Sequence, residues 1–156
     1  MQEKENIKNQ DSIELENIES PKNVNLENIK SRKIIELGSR KTASATVRLG
    51  NQGTNVIVNG KSISDYLLDQ RLIDNALKPF KILEISFDAN ISVKGSGLSA
   101  QSGAIRYAIS KALASLSIEF KDKLKKLKLL AGDPRRVLRK LVGHYKSRKK
   151  YPYRKR

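Results

Sequence analysis

The chain has 156 residues, 38% of them hydrophobic, a formal charge of +16 and no cysteine. That length fits one domain of ordinary size with tails, and the absence of cysteine excludes disulfide staples, cysteine nucleophiles and thiolate metal sites together. The charge is unevenly spread: residues 1–37 carry a net −2, residues 38–120 a net +4 and residues 121–156 a net +14. A field of that density attracts polyanions before any specific contact forms, while no apolar run approaches the ~18 residues of a membrane span.

The first 37 residues contain three 11-residue units, ENIKNQDSIEL, ENIESPKNVNL and ENIKSRKIIEL. Their apolar positions form no single helical stripe and Pro21 interrupts the second unit, so the segment reads as an extension of duplicated origin, disordered or ordered by a partner. Its eight acidic residues argue against a transit peptide, and it lacks the apolar run of a secretory signal.

In chain order, TASATVRL (42–49) and the VIV of 56–58 read as strands, joined by the turn-forming GNQG into a β-hairpin. Ser62 or Ser64 can cap a short helix through SDYLL, and a further helix is expected from Gln70 to Leu77, ending before Pro79. KILEISF (81–87) and ISVKG (91–95) are strand-like. After the GSG turn comes a long helix whose Leu98, Ile105, Ile109, Ala112, Leu113 and Leu116 form one stripe, suited to covering a sheet. Ser117 can cap a last helix that buries Phe120, Leu124 and Leu127, with Gly132 as its stop.

Four segments could carry chemistry. VKGSGLSAQSGAIR (93–106) is a strand, a glycine turn and a helix start, an arrangement in which backbone N–H groups can meet phosphate. A tight structural turn explains it equally well. It has Ala100 where a dinucleotide fingerprint has glycine, no GK[ST] follows, and GLSAQ ends in Gln101 where a nucleophile elbow needs glycine. In GSRKTASATVRL (38–49), Arg40 and Lys41 precede a strand bearing Arg48, a pattern also expected of a solvated sheet edge. In GDPRRVLRKLVG (132–143), Asp133 is placed to be an N-cap and Pro134 the first helical residue, leaving Arg135, Arg136, Arg139 and Lys140 crowded together. Phosphates alongside would relieve their repulsion.

The last fourteen residues, GHYKSRKKYPYRKR, hold seven Lys or Arg, three tyrosines and no acid. Cations there can meet phosphates, and His144, Tyr145, Tyr151 and Tyr153 can stack on unpaired bases. Fully extended, the segment reaches ~45 Å, and its composition cannot fold alone, so it reads as an arm that threads into RNA. His144 is the sole histidine and has no cysteine to join it, so no metal site is expected. No cofactor and no enzymatic activity are expected either. A phosphotransferase would need a metal-binding carboxylate near residues 95–106, and none is present.

GSRKTASATVRL, VNGKSISDYL, VKGSGLSAQSGAIRYAISKAL, GDPRRVLRK and a terminal Lys-Arg, in this order and spacing, resemble the family of the ninth protein of the small ribosomal subunit, bacterial and organellar type. The resemblance covers residues 38–156 and leaves the repeats outside. It implies a small α/β domain, a two-layer α+β unit with a mixed sheet covered by helices like the second domain of the fifth small-subunit protein. A long extended basic tail is implied with it, and the chain would divide into an extension (1–37), a globular domain (38–132) and an RNA-threading tail (133–156).

The family's positions in the subunit head imply contact with small-subunit ribosomal RNA at Arg40, Lys41, Lys94, Gln101, Arg106, Arg135, Arg139, Lys140 and Arg148, and the basic and glycine segments read above add Arg48, Gly95, Gly97, Arg136, Lys146 and Lys149 as expected contacts. They also imply contact with peptidyl-site transfer RNA at Lys155 and Arg156, neighbouring head proteins as partners, and no membrane. Departures are Ser96, Ala100, Ser102 and Ala108 around the glycine-rich helix start, Leu138 in place of an acid, and the ending YPYRKR. A free RNA-binding or RNA-chaperone module outside the ribosome would share the charge but would not prefer ribosomal RNA. Asn, Ile and Lys together supply 47 residues, the bias of A/T-rich coding. That suits an organellar ribosome, plastid stroma above all, or a bacterial cytoplasm of the same codon bias.

Overall fold

A computed structural model describes residues 34–153. The repeats up to residue 33 and the residues 154–156 lie outside the described region. Five strands form one mixed sheet: β1 (Ile34–Arg40), β2 (Ala43–Gln52), β3 (Val56–Val58), β4 (Lys61–Ser62) and β5 (Phe87–Lys94), in the spatial order β1-β2-β5-β3-β4. Helices α1 (Ile63–Leu67), α2 (Gln70–Leu83), α3 (Leu98–Leu116) and α4 (Ile118–Lys126) accompany it. The fold is therefore the expected two-layer α+β arrangement.

Alternation sets which face of the sheet is covered. Ala43, Ala45, Val47 and Leu49 of β2 and Phe87, Ala89, Ile91 and Val93 of β5 are all buried on the helix-covered face, while Arg48, Asn90, Ser92 and Lys94 point to the opposite, open face. α3 buries Ile105, Ile109, Ala112 and Leu113, as its stripe predicts, and Ala104 and Ala108 beside them. The two ends of that stripe differ, since Leu98 is exposed and Leu116 only partly buried. The layers approach closely where β1 passes α3. A Cβ on Gly38 would lie 2.5 Å from both the Ala104 carbonyl oxygen and the Ala108 nitrogen, so glycine at 38 and alanine at 108 together permit the contact.

Several expectations from sequence differ from the structure. β2 and β3 do not form a hairpin: β2 pairs antiparallel with β1 and β5, and β3 runs parallel to β5. The tight turn at Lys41 and Thr42 joins β1 to β2 instead, and GNQG only frays the end of β2, where its register with β5 shifts between Leu49 and Gln52. A parallel neighbour requires a crossover, which β4, α1 and α2 supply between β3 and β5. β1 itself begins at Ile34, inside the segment assigned to the extension.

Next, α2 continues through Pro79 to Leu83, so the KIL of KILEISF is helical and only Phe87 opens a strand. Proline removes the N–H that would bond the Asn75 carbonyl, but Ile73, Ala76, Pro79, Phe80 and Leu83 bury one continuous face, and that burial outweighs one missing bond. The helix stops at Glu84, left-handed at φ 53°, whose N–H bonds Phe80 O. α4 ends at Lys126 rather than at Gly132, and Leu127 is 48% exposed instead of joining Phe120 and Leu124 in the core. The caps at Ser62 and Ser117 are as expected, each hydroxyl accepting from a backbone N–H, of Asp65 and Glu119 respectively. Finally, no helix starts at Asp133 and Pro134; the described chain beyond Leu130 has no regular helix or strand.

Candidate nucleic-acid interface

One end of the sheet brings together Arg40, Lys41, Lys94 and Arg106. There the C-terminal end of β1, the Lys41–Thr42 turn, the end of β5 and the start of α3 meet. Lys41 is exposed and left-handed at φ 55°, and Lys94 stands across from Ser44 on the open face. Gly95 is also left-handed, at φ 84°, and a Cβ there would lie 2.4 Å from Thr42 O. Its smallness thus serves the protein's own turn-to-turn contact. Gly97 is the N-cap residue of α3 with no side-chain cap, and nothing lies near its Cβ position. Gln101 is buried; it accepts from Tyr66 Oη at 2.8 Å and donates to Gly95 O at 3.1 Å, so its amide locks the glycine turn to α1 from inside.

Beneath this corner Arg40 lies across Gly103, where an added Cβ would come within 2.4 Å of the Arg40 Cδ. Arg106, one turn further along α3, donates to Asn75 Oδ1 at 3.0 Å, while Asn75 donates to Ser102 Oγ at 2.9 Å. Burial holds the Arg106 guanidinium below the usual arginine pKa; Arg40 adds to the depression and Asp133 opposes it. Its Nε is buried with no partner among the described residues.

Asp133 returns to this corner and forms a parallel bridge with Arg40. Its carboxylate accepts from the Arg135 main-chain N–H, Nε and Nη2 at 3.1, 2.9 and 2.7 Å, and pairs with Arg40 Nη2 at 4.0 Å. Hydrogen bonds from Arg135 hold the Asp133 pKa far below the usual carboxylate value, and the pairing raises that of Arg135 in turn. Arg40, Arg106 and Arg135 are thus brought together. Arg48 is not: it sits further along the open face, opposite Ile35 and Asn90.

Arg136, Arg139 and Lys140 continue along the exposed arm, as do Lys146, Arg148 and Lys149. Between His144 and Lys150 the arm closes a small turn with an antiparallel bridge and a bond from Tyr145 N–H to Lys149 O at 2.7 Å. The rings of Tyr145 and Tyr151 meet edge to face at 6.0 Å and Lys149 Nζ stands 5.7 Å over Tyr145. Tyr153 is almost fully exposed. Lys155 and Arg156 lie outside the described residues.

The sequence reading missed Gly103 as the seat of Arg40, and Asn75 and Tyr66 as the groups that hold Arg106 and Gln101. Only the Asp-Pro-Arg order hinted at the carboxylate fork. Among the described residues no cluster of His, Asp or Glu could hold a metal ion, and no helix is long and apolar enough to cross a membrane.

The fold and its charge distribution define a cationic two-layer α+β domain with a basic arm. A family model described as ribosomal protein S9/S16 matches residues 38–156. Similar proteins include the small ribosomal subunit protein uS9 of Christiangramia forsetii, 39% identical over 123 residues that span 78% of this chain and 96% of that one. The proteins of the same name from Chlorobaculum tepidum and Mycoplasma mobile are each 38% identical over 122 residues, 77% of this chain and 95% and 94% of theirs. The chain belongs to the ribosomal protein S9/S16 family.

Proposed function

We propose that this chain is a structural constituent of the small ribosomal subunit, seated in the head, that binds small-subunit ribosomal RNA through the corner at Arg40, Lys41, Lys94, Arg106 and Arg135 and through its arm. Lys155 and Arg156 contact transfer RNA in the peptidyl site, where a terminal guanidinium can hold phosphate bidentately. The observation that carries the reading is the charge pattern on this fold: Asp133 is the sole acid in residues 123–156, and it faces the corner where three arginines converge. Neutralising RNA phosphates releases counterions, so affinity falls by roughly 0.7–0.9 log units per phosphate for each tenfold rise in salt.

Reconstituted subunits test it. Deleting Lys155 and Arg156 is expected to leave assembly intact and to speed transfer-RNA dissociation from the peptidyl site. Unchanged dissociation would remove the transfer-RNA part of the reading. For the body, excess generic RNA should fail to displace the chain from small-subunit ribosomal RNA; equal competition would favour a free RNA-binding module. The A/T-rich residue bias leads us to a plastid ribosome, although the relatives named above are bacterial. Detecting the chain in ribosomes purified from plastids would decide that point.

A further inference from the structure

A carboxylate inside a cationic surface weakens the attraction for a polyanion. Asp133 nevertheless sits among Arg40, Arg106 and Arg135, half-buried, where the arm leaves the body. Its two oxygens engage the Nε and Nη2 edge of Arg135, which leaves the Nη1 edge of a side chain that is 83% exposed facing solvent. Pro134 fixes φ between the two residues, so the fork closes without a helix behind it. On the body side, Arg40 lies over Gly103 and is bridged to Asp133 by its main chain as well as by its guanidinium.

We propose that Asp133 is a positioning residue: it ties the root of the C-terminal arm to the β1–β2 corner and presents Arg40 and Arg135 as a preset pair for RNA phosphate. This rests on the reading of the chain as a ribosomal-RNA-binding protein. Preorganisation of this kind raises affinity by removing ordering costs from the binding step, at the expense of one opposing charge. It also discriminates, because only an RNA whose phosphates match the preset spacing gains from it.

The test compares the full chain with Asp133→Ala and Asp133→Asn, each titrated with a small-subunit ribosomal RNA transcript and with polyuridylate, alongside amide exchange at Arg135. Coulomb attraction alone makes both variants bind both RNAs more tightly. Positioning instead makes ribosomal RNA binding about fivefold weaker, the upper end for a partly exposed charge pair, with polyuridylate binding unchanged or tighter and Arg135 amide exchange faster. Ribosomal RNA bound as tightly or more tightly by the variants overturns the proposal. Wild-type chain that shows no preference for the transcript over polyuridylate overturns the functional reading; the tether itself is then judged by amide exchange, unchanged exchange overturning it and faster exchange supporting it. Should Asp133→Ala melt much earlier than wild type, Asp133→Asn, which keeps the size and an acceptor oxygen, carries the comparison.

Discussion

At the residue scale, two glycines with similar crowding do different work. Gly38 faces backbone atoms of α3 that cannot move cheaply, so Gly38→Ala is expected to destabilise the fold by about 1–3 kcal/mol in denaturant titration, as overpacking does. Gly103 faces the middle of the Arg40 side chain, which can swing away. Gly103→Ala should therefore leave the melting temperature unchanged or raised, since alanine favours helix, while weakening ribosomal RNA binding through the displaced Arg40. Asp133 adds a pH signature. Its folded pKa lies below the ordinary 3.8, so whatever stability its pairing contributes is complete above that value and is lost only as the pH falls through the depressed one. Carboxyl chemical shifts should show a midpoint below 3.8, and the Arg40 contact should persist at pH 5.

At the scale of elements, periodicity located α3 and α4, and the serine caps of α1 and α4 were legible as well, because a helix announces its buried stripe and its N-cap within a few residues. Strand partnership was not legible. VIV at 56–58 looks the same whether its neighbour is the preceding strand or β5, and the choice is made by Asn55, whose N–H bonds Asp88 Oδ1 and whose carbonyl accepts from Ala89. Those partners lie more than thirty residues away in sequence. β1 escaped notice for a related reason: its Ile35 and Leu37 are exposed on the open face at the sheet edge, so it lacks a clear inward apolar row. Pro79 misled because a local penalty was set against burial that only the folded helix face reveals. α4 docks on α3 through Phe120 and Leu124. Phe120→Ala should cost about 3–5 kcal/mol of stability, read by thermal unfolding, with the α4 amides losing protection first.

Across the whole molecule, a neutral-to-basic body carries an arm that concentrates charge. Residues 134–156 contain eleven of the 32 Lys and Arg. Truncation after Asp133 is expected to flatten the salt dependence of ribosomal RNA binding by several log units per tenfold salt, with little effect on the melting temperature, because no buried core residue lies beyond Leu129. Composition and linear order by themselves determined the charge asymmetry, the buried stripe of α3, the Ser117 start of α4 and the family, since each of these depends on residue type or on spacing within one element. Tertiary structure alone decided the strand order, the burial of Gln101, and the meeting of Arg40, Gly103, Arg106 and Asp133 at one corner. Those contacts join residues up to about ninety positions apart, and only sheet pairing and close packing determine which of them share a space.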